Sequence, residues 1–89
     1  MPIDSENIIK QCTEVVDRIV NDDSVPKNIR RSADEIKNIL YKKDDSPAFK
    51  AALSIRILDD ISTDQNLSLH TRTLIWNLVK QLETIPIDE

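Results

Sequence analysis

The chain has 89 residues, 39% of them hydrophobic and only 3% aromatic, with no glycine, one cysteine and a formal net charge of −4. That length makes one domain with a thin margin of stability. Without glycine no phosphate-cradling loop can be written, a lone cysteine excludes an intrachain disulfide and a cysteine-based zinc site, and the acidic balance disfavours broad binding to nucleic-acid phosphates.

Tight β-hairpins also lack their usual turn residue, so a helical chain is expected. No stretch approaches the roughly 20 apolar residues of a membrane span. The start, "MPIDSENIIKQ", lacks the basic and apolar regions of a secretion signal. A cytoplasmic setting with no membrane contact is the expectation.

The first helix is predicted from about Asp4 or Ser5 to Asn21. Ile8, Ile9, Cys12, Val15, Val16, Ile19 and Val20 recur at steps of three and four, one face of an α-helix. Cys12 on that face reads as a small buried hydrophobe. Glu6–Lys10, Lys10–Glu14 and Glu14–Arg18 are spaced for weak ion pairs on the outer surface. Asn21 is the expected left-handed cap where glycine is missing. Ser24 and Pro26 restart the chain, with proline in the first helical turn. The second helix then runs to about Tyr41 on a face of Val25, Ile29, Ala33, Ile36, Ile39 and Leu40. Arg30–Asp34 and Arg31–Glu35 are its ion-pair spacings.

"Ser46-Pro47" starts the third helix: a capping hydroxyl, then proline at the first helical position. It runs to about Ser62. Ala48, Ala51, Ala52, Leu53, Ile55, Ile57, Leu58 and Ile61 cover more than one stripe, so this helix is expected to be the most buried. The fourth starts near Ser68 and ends near Ile85, before Pro86. Its inner face is Leu74, Ile75, Leu78, Leu82 and Ile85.

The chain repeats itself at an offset of 42 residues, dividing roughly into 4–42 and 47–85 within one domain spanning 1–89. Asp17/Asp59, Ile19/Ile61, Asp22/Asp64 and Arg30/Arg72 coincide. Val15/Ile57, Val16/Leu58, Val25/Leu67, Ile36/Leu78 and Leu40/Leu82 keep their apolar character. A period near 40 with two helices per unit is that of HEAT and armadillo repeats. "VVDRIVNDDSVPKNIRRSADEI" resembles a HEAT unit: an apolar helix, a turn with Asp22, then Ile29-Arg30 and the small Ala33. The second unit departs from it with Thr71 before Arg72. Two units fall short of the roughly three that an extended solenoid needs. The expected fold is therefore all-α: four antiparallel helices as two HEAT-like hairpins closed into a bundle.

Over nearly its whole length the chain also resembles a family of small archaeal proteins of unknown function, the one hundred and forty-seventh in the uncharacterised UPF series. The segments that carry this are "SVPKNIRRSADEIKNIL" and "AALSIRILDDISTDQNLSLHTRTLIWNLVKQLETI". The resemblance implies an all-α fold, an archaeal and cytoplasmic origin, and no established activity. It supplies no catalytic residues.

The residues themselves offer few sites. His70 is the only histidine. It could be an acid–base group or a metal ligand, but one histidine among scattered carboxylates reads more simply as a solvated residue in the first turn of the fourth helix. Asp59, Asp60 and Asp64 lack the alternate spacing, the glycine and the final glutamate of a calcium loop. Asp22 and Asp64 read as turn residues that accept backbone N–H bonds. Arg30 and Arg72 are placed to reach back to those turns and fix each corner. Lys27, Arg30 and Arg31 form the one basic concentration, either a solvated, salt-bridged face or a seat for an acidic or phosphate surface. Trp76 lies on the line of Leu69, Thr73 and Lys80. It either packs at the core rim or, with Leu69, anchors a partner.

No nucleophile–base pair, metal set or cofactor loop can be assembled. The sequence therefore points to a non-enzymatic protein–protein interaction module without cofactor, metal or small-molecule ligand. Its candidate partner-binding residues are Lys27, Arg30, Arg31, Leu69, His70 and Trp76. An accessory of RNA or ribosome machinery, docking through Lys27, Arg30 and Arg31, is the alternative.

Overall fold

The computed structural model describes residues 4–86. Four helices fill them: α1 (Ser5–Val20), α2 (Lys27–Tyr41), α3 (Pro47–Ile61) and α4 (Leu69–Glu83). Three begin on a side chain that takes an orphan backbone N–H of the first turn. Asp4 accepts from Asn7 N, Ser46 from Phe49 N and Ser68 from Thr71 N, each at 3.2 Å. The helices pack as a ring, α1 on α2, α2 on α3, α3 on α4 and α4 on α1. Of the two diagonals, α1 approaches α3 while α2 and α4 stay apart. One apolar cluster joins all four and includes Val16, Ile29, Ile36, Leu58, Ile75, Leu78 and Leu82.

Several expectations are corrected. No described residue has a positive φ, and Asn21 leaves α1 at φ −93°. Its side chain instead donates to Asp17 O at 2.9 Å, tying off the helix end without a left-handed residue. Ser24 does not start α2. Its N–H and hydroxyl are both spent on Asp22 Oδ1, and Pro26 occupies the cap position with no side-chain bond. α1 and α4 end at Val20 and Glu83, slightly before their expected bounds.

α3 is not the most buried helix. Phe49 and Ala52 are exposed, and Ala48, Leu53, Ile55 and Ile57 are half-buried. Lys50 and Ser54 lie inward instead. The Lys50 ammonium donates to Leu40 O at 3.4 Å, at the carbonyl-rich end of α2, where a cation is favoured. The predicted i,i+4 ion pairs do not form. Among the described residues, the two ion pairs are Arg30–Asp23 at 3.6 Å and Lys37–Asp17 at 2.6 Å, the second bridging α2 to α1.

The 42-residue offset reappears in the structure. α2 and α4 begin and end at corresponding positions. Buried residues correspond as well: Ile9 with Ala51, Cys12 with Ser54, Val16 with Leu58, Val25 with Leu67, Ile29 with Thr71, and Ala33 with Ile75. Thr71, the departure from the aliphatic pattern, is therefore buried like its counterpart.

Candidate functional site

The α1–α2 and α3–α4 turns fold alike. Asp22 N donates to Ile19 O at 3.2 Å and Val25 N to Asp22 O at 3.1 Å; Asp64 N donates to Ile61 O at 3.1 Å and Leu67 N to Asp64 O at 3.3 Å. In each, the aspartate side chain then closes an Asx turn. Asp22 Oδ1 accepts Ser24 N at 2.9 Å, and Asp64 Oδ1 accepts Asn66 N at 2.8 Å. Val25 and Leu67 drop from the turns into the core.

The arginines reach back as the sequence suggested, but to backbone oxygens and not to the paired aspartates. Arg30 Nε donates to Val25 O at 3.0 Å, and Arg72 Nη2 donates to Asp64 O at 3.1 Å. A turn carbonyl has two lone pairs, and Asp64 O takes the Arg72 guanidinium as a second donor beside Leu67 N.

The two turns meet at one end of the bundle. Asn28 Nδ2, in the first turn of α2, donates to Asp64 Oδ2 at 2.9 Å. This cross-corner bond spans 36 residues of sequence, and no local signal could have revealed it. Across the same junction His70 sits near enough to Asp22 for its charge to act on that carboxylate. Lys27, Arg30, Arg31, Leu69 and His70 are thereby gathered at this end, which the chain reaches twice. Lys27, Arg31, Leu69 and His70 are exposed there and Arg30 is half-buried. Lys27, Arg30, Arg31 and Asp34 line a shallow groove of about 280 Å³. Asp34 in that groove, and the engagement of Arg30 with Val25 and Asp23, leave less free positive charge than the sequence implies.

Both turn carboxyls are held below their ordinary value of 3.8. For Asp22 the main cause is the Ser24 hydroxyl, then the Ser24 N–H, with smaller help from the charges of His70 and Arg30. For Asp64 it is the Asn66 N–H, then the Asn28 amide. A carboxyl depressed in the folded state stabilises the fold above its unfolded pKa and loses that contribution as pH falls. The melting temperature is therefore expected to drop between about pH 5 and pH 2. The doubly substituted Asp22→Asn/Asp64→Asn chain should lose less over that range, as calorimetry at several pH values would measure.

Trp76 stands two turns along α4 and is 51% exposed, while Leu69 is 76% exposed. Core-rim packing does not hide the indole. The opposite flank of α4 faces α1, where Cys12 Sγ donates to Gln81 Oε1 at 3.4 Å. Burial pushes the Cys12 thiol up to about 11, so it stays protonated and unreactive. No three His, Cys, Asp or Glu side chains converge as metal ligands among the described residues. No helix there is long and apolar enough to cross a membrane.

The sequence profile described as "Uncharacterised protein family (UPF0147)" matches residues 1–85. The chain is 59% identical over 86 residues to a UPF0147 protein of Methanosarcina acetivorans, an alignment covering 97% of this chain and 89% of the other. It is 44% identical over 80 residues to one of Methanocaldococcus jannaschii, covering 90% and 86%. Two crystal structures superpose on it. The unknown-function protein MMP1188 does so with a TM-score of 0.89 and 40% identity, over 97% of this chain and 98% of that one. A UPF0147 protein from Thermoplasma acidophilum gives 0.86 and 27%, over 92% and 96%.

Proposed function

Because the chain belongs to the uncharacterised family UPF0147, which brings no activity with it, we propose from its surface that it is a non-enzymatic, cytoplasmic protein–protein interaction module. Its docking face is the outer side of α4, with Leu69 and Trp76 as apolar anchors and His70, Lys27, Arg30 and Arg31 around the adjoining corner. The observation that carries this reading is the exposure of Leu69 and Trp76 on one line of a single helix. A half-exposed tryptophan on a small domain with few aromatics contributes little to its own core, while tryptophan is the residue most enriched at interface hot spots.

The test is a pull-down from native lysate of an archaeon carrying the protein, read by mass spectrometry, with and without nuclease. A protein retained after nuclease, and lost on Leu69→Asp or Trp76→Asp, is the expected result. Retention by both variants would remove α4 from the interface. Loss of the captured material on nuclease treatment would shift the role to RNA, docked through Lys27, Arg30 and Arg31, and that binding should weaken steeply with salt.

A further inference from the structure

The two hairpins share one architecture but not one surface. Each apolar residue on the outer side of the second can be compared with the residue at the same position in the first. Leu69 stands where the first hairpin has Lys27, Trp76 where it has Asp34, and Val79 where it has Lys37. On the facing helix, Ala48, Ala52 and Ile55 correspond to Glu6, Lys10 and Thr13. The first hairpin completes its outer side within the chain, since Lys37 closes on Asp17 at 2.6 Å across α1 and α2. At those positions the second has Val79 and Asp59, which cannot form that ion pair. Val79 and Ile55 are half-buried against the shared core, but Leu69 and Trp76 are exposed where the first hairpin carries charged residues, so the helical corner does not demand these two apolar side chains.

Their order is specific. Leu69, Arg72, Trp76, Val79 and Glu83 follow at steps of three, four, three and four, the seam spacing of a helix that packs on another helix. This seam lies on the flank of α4 turned from α1. It borders a groove of about 250 Å³ beside α3, lined by Ala48, Ala51, Ala52, Ile55, Leu82 and Ile85, with Glu83 at its edge.

The seam is complementary to itself. Laid antiparallel against a copy of α4 about a two-fold axis, with Trp76 of each chain opposite Val79 of the other, it brings Arg72, half-buried and with Nη2 already donating to Asp64 O of its own chain, opposite Glu83 at both ends. Leu69 then falls beyond Glu83 of the other chain, at Pro86, beside the mouth of the apolar groove near Ile85. Charge meets opposite charge, the exposed leucine meets a groove, and each contact occurs twice, as an isologous interface requires.

We propose that a second copy of this chain occupies the α4 face, forming an antiparallel homodimer through Leu69, Arg72, Trp76, Val79 and Glu83. The inference rests on the reading of α4 as a docking face and names its partner. A two-helix seam is small for an interface, so the dimer should be reversible and concentration-dependent.

Sedimentation equilibrium of the full chain tests it. The wild type should shift from the 10.2 kDa monomer to twice that mass as concentration rises through the micromolar range. Trp76→Asp should weaken the dimer about a hundredfold, as for loss of a central anchor counted on both sides of the axis. Glu83→Arg, which sets two cations face to face at each end, should weaken it about tenfold. Asn77→Asp, on the other flank of α4, should leave it unchanged. Circular dichroism reports whether each variant keeps its helices, and should Trp76→Asp lose them, the exposed Glu83→Arg decides. A wild type that stays monomeric to about 1 mM overturns the proposal. So does a dimer indifferent to Glu83→Arg. If the chain is monomeric yet loses a different captured protein on Trp76→Asp, the docking face stands and the second copy falls.

Discussion

Arg72→Ala is expected to lower the melting temperature by about 6–15 °C, while Lys80→Ala, one turn past Trp76 on the same helix, leaves it within about 3 °C. The difference follows from what each side chain touches. The Lys80 side chain is exposed and makes no hydrogen bond or ion pair with another described residue. The Arg72 guanidinium reaches from α4 to Asp64 O at 3.1 Å, and the side chain is half-buried against the turn. A charge-assisted bond of this kind contributes about 1.5–3 kcal/mol to stability. Its removal leaves Asp64 O without that donor, while the Asp64 carboxylate keeps its bonds to Asn66 and Asn28. The turn should therefore loosen without opening fully. Arg30→Ala should act in the same direction through Val25 O. Equal effects of Arg72→Ala and Lys80→Ala in a thermal melt would contradict the corner lock.

What the sequence revealed and what it hid divide by range. Asp4, Ser46 and Ser68 announce helix starts because a cap is a contact over three residues, and the structure forms all three. The repeated corner was visible for the same reason, as Asp22 and Asp64 bond within two positions of themselves. Asn21 and Ser24 misled because each had two local uses. Asn21 bonds back into α1, and Ser24 is consumed by Asp22. α3 misled because its apolar residues cover two stripes, and periodicity cannot say which one meets the core. The neighbours chose the stripe of Ala51, Leu58 and Ile61, leaving Phe49 outside. Spacing proposed ion pairs along α1 and along α2, yet the pair that forms between them joins Lys37 to Asp17, where the lysine side chain is partly shielded from water. The candidate residues could be named one by one from the sequence. Their assembly at one end of the bundle depends on Asn28 meeting Asp64, a contact of tertiary structure alone.

The largest effect should come from dividing the chain. A peptide of residues 1–43 or of 44–89 is expected to show little helix by circular dichroism and no cooperative melt, although each holds a complete hairpin with its own turn. The reason lies in how the core is shared. α1 packs on α3 and α4 as well as on α2, and α2 packs on α3, so each hairpin buries its apolar face chiefly with the other's help. Val16, Ile29 and Ile36 belong to the same cluster as Leu58, Ile75 and Leu78. A chain of about 45 residues rarely buries enough apolar surface to offset its conformational entropy unless a disulfide or metal holds it, and this one has a single cysteine. Isolated helices of 15 or 16 residues are themselves marginal in water. Mixing the two peptides should restore helix in a one-to-one complex, because the cross-corner bond from Asn28 to Asp64 and the Lys50 bond to Leu40 O both join one half to the other. A first or second half that melts cooperatively by itself would instead make each hairpin a folding unit. The corner bonds would then be ornaments on two independent structures rather than the contacts that hold one domain together.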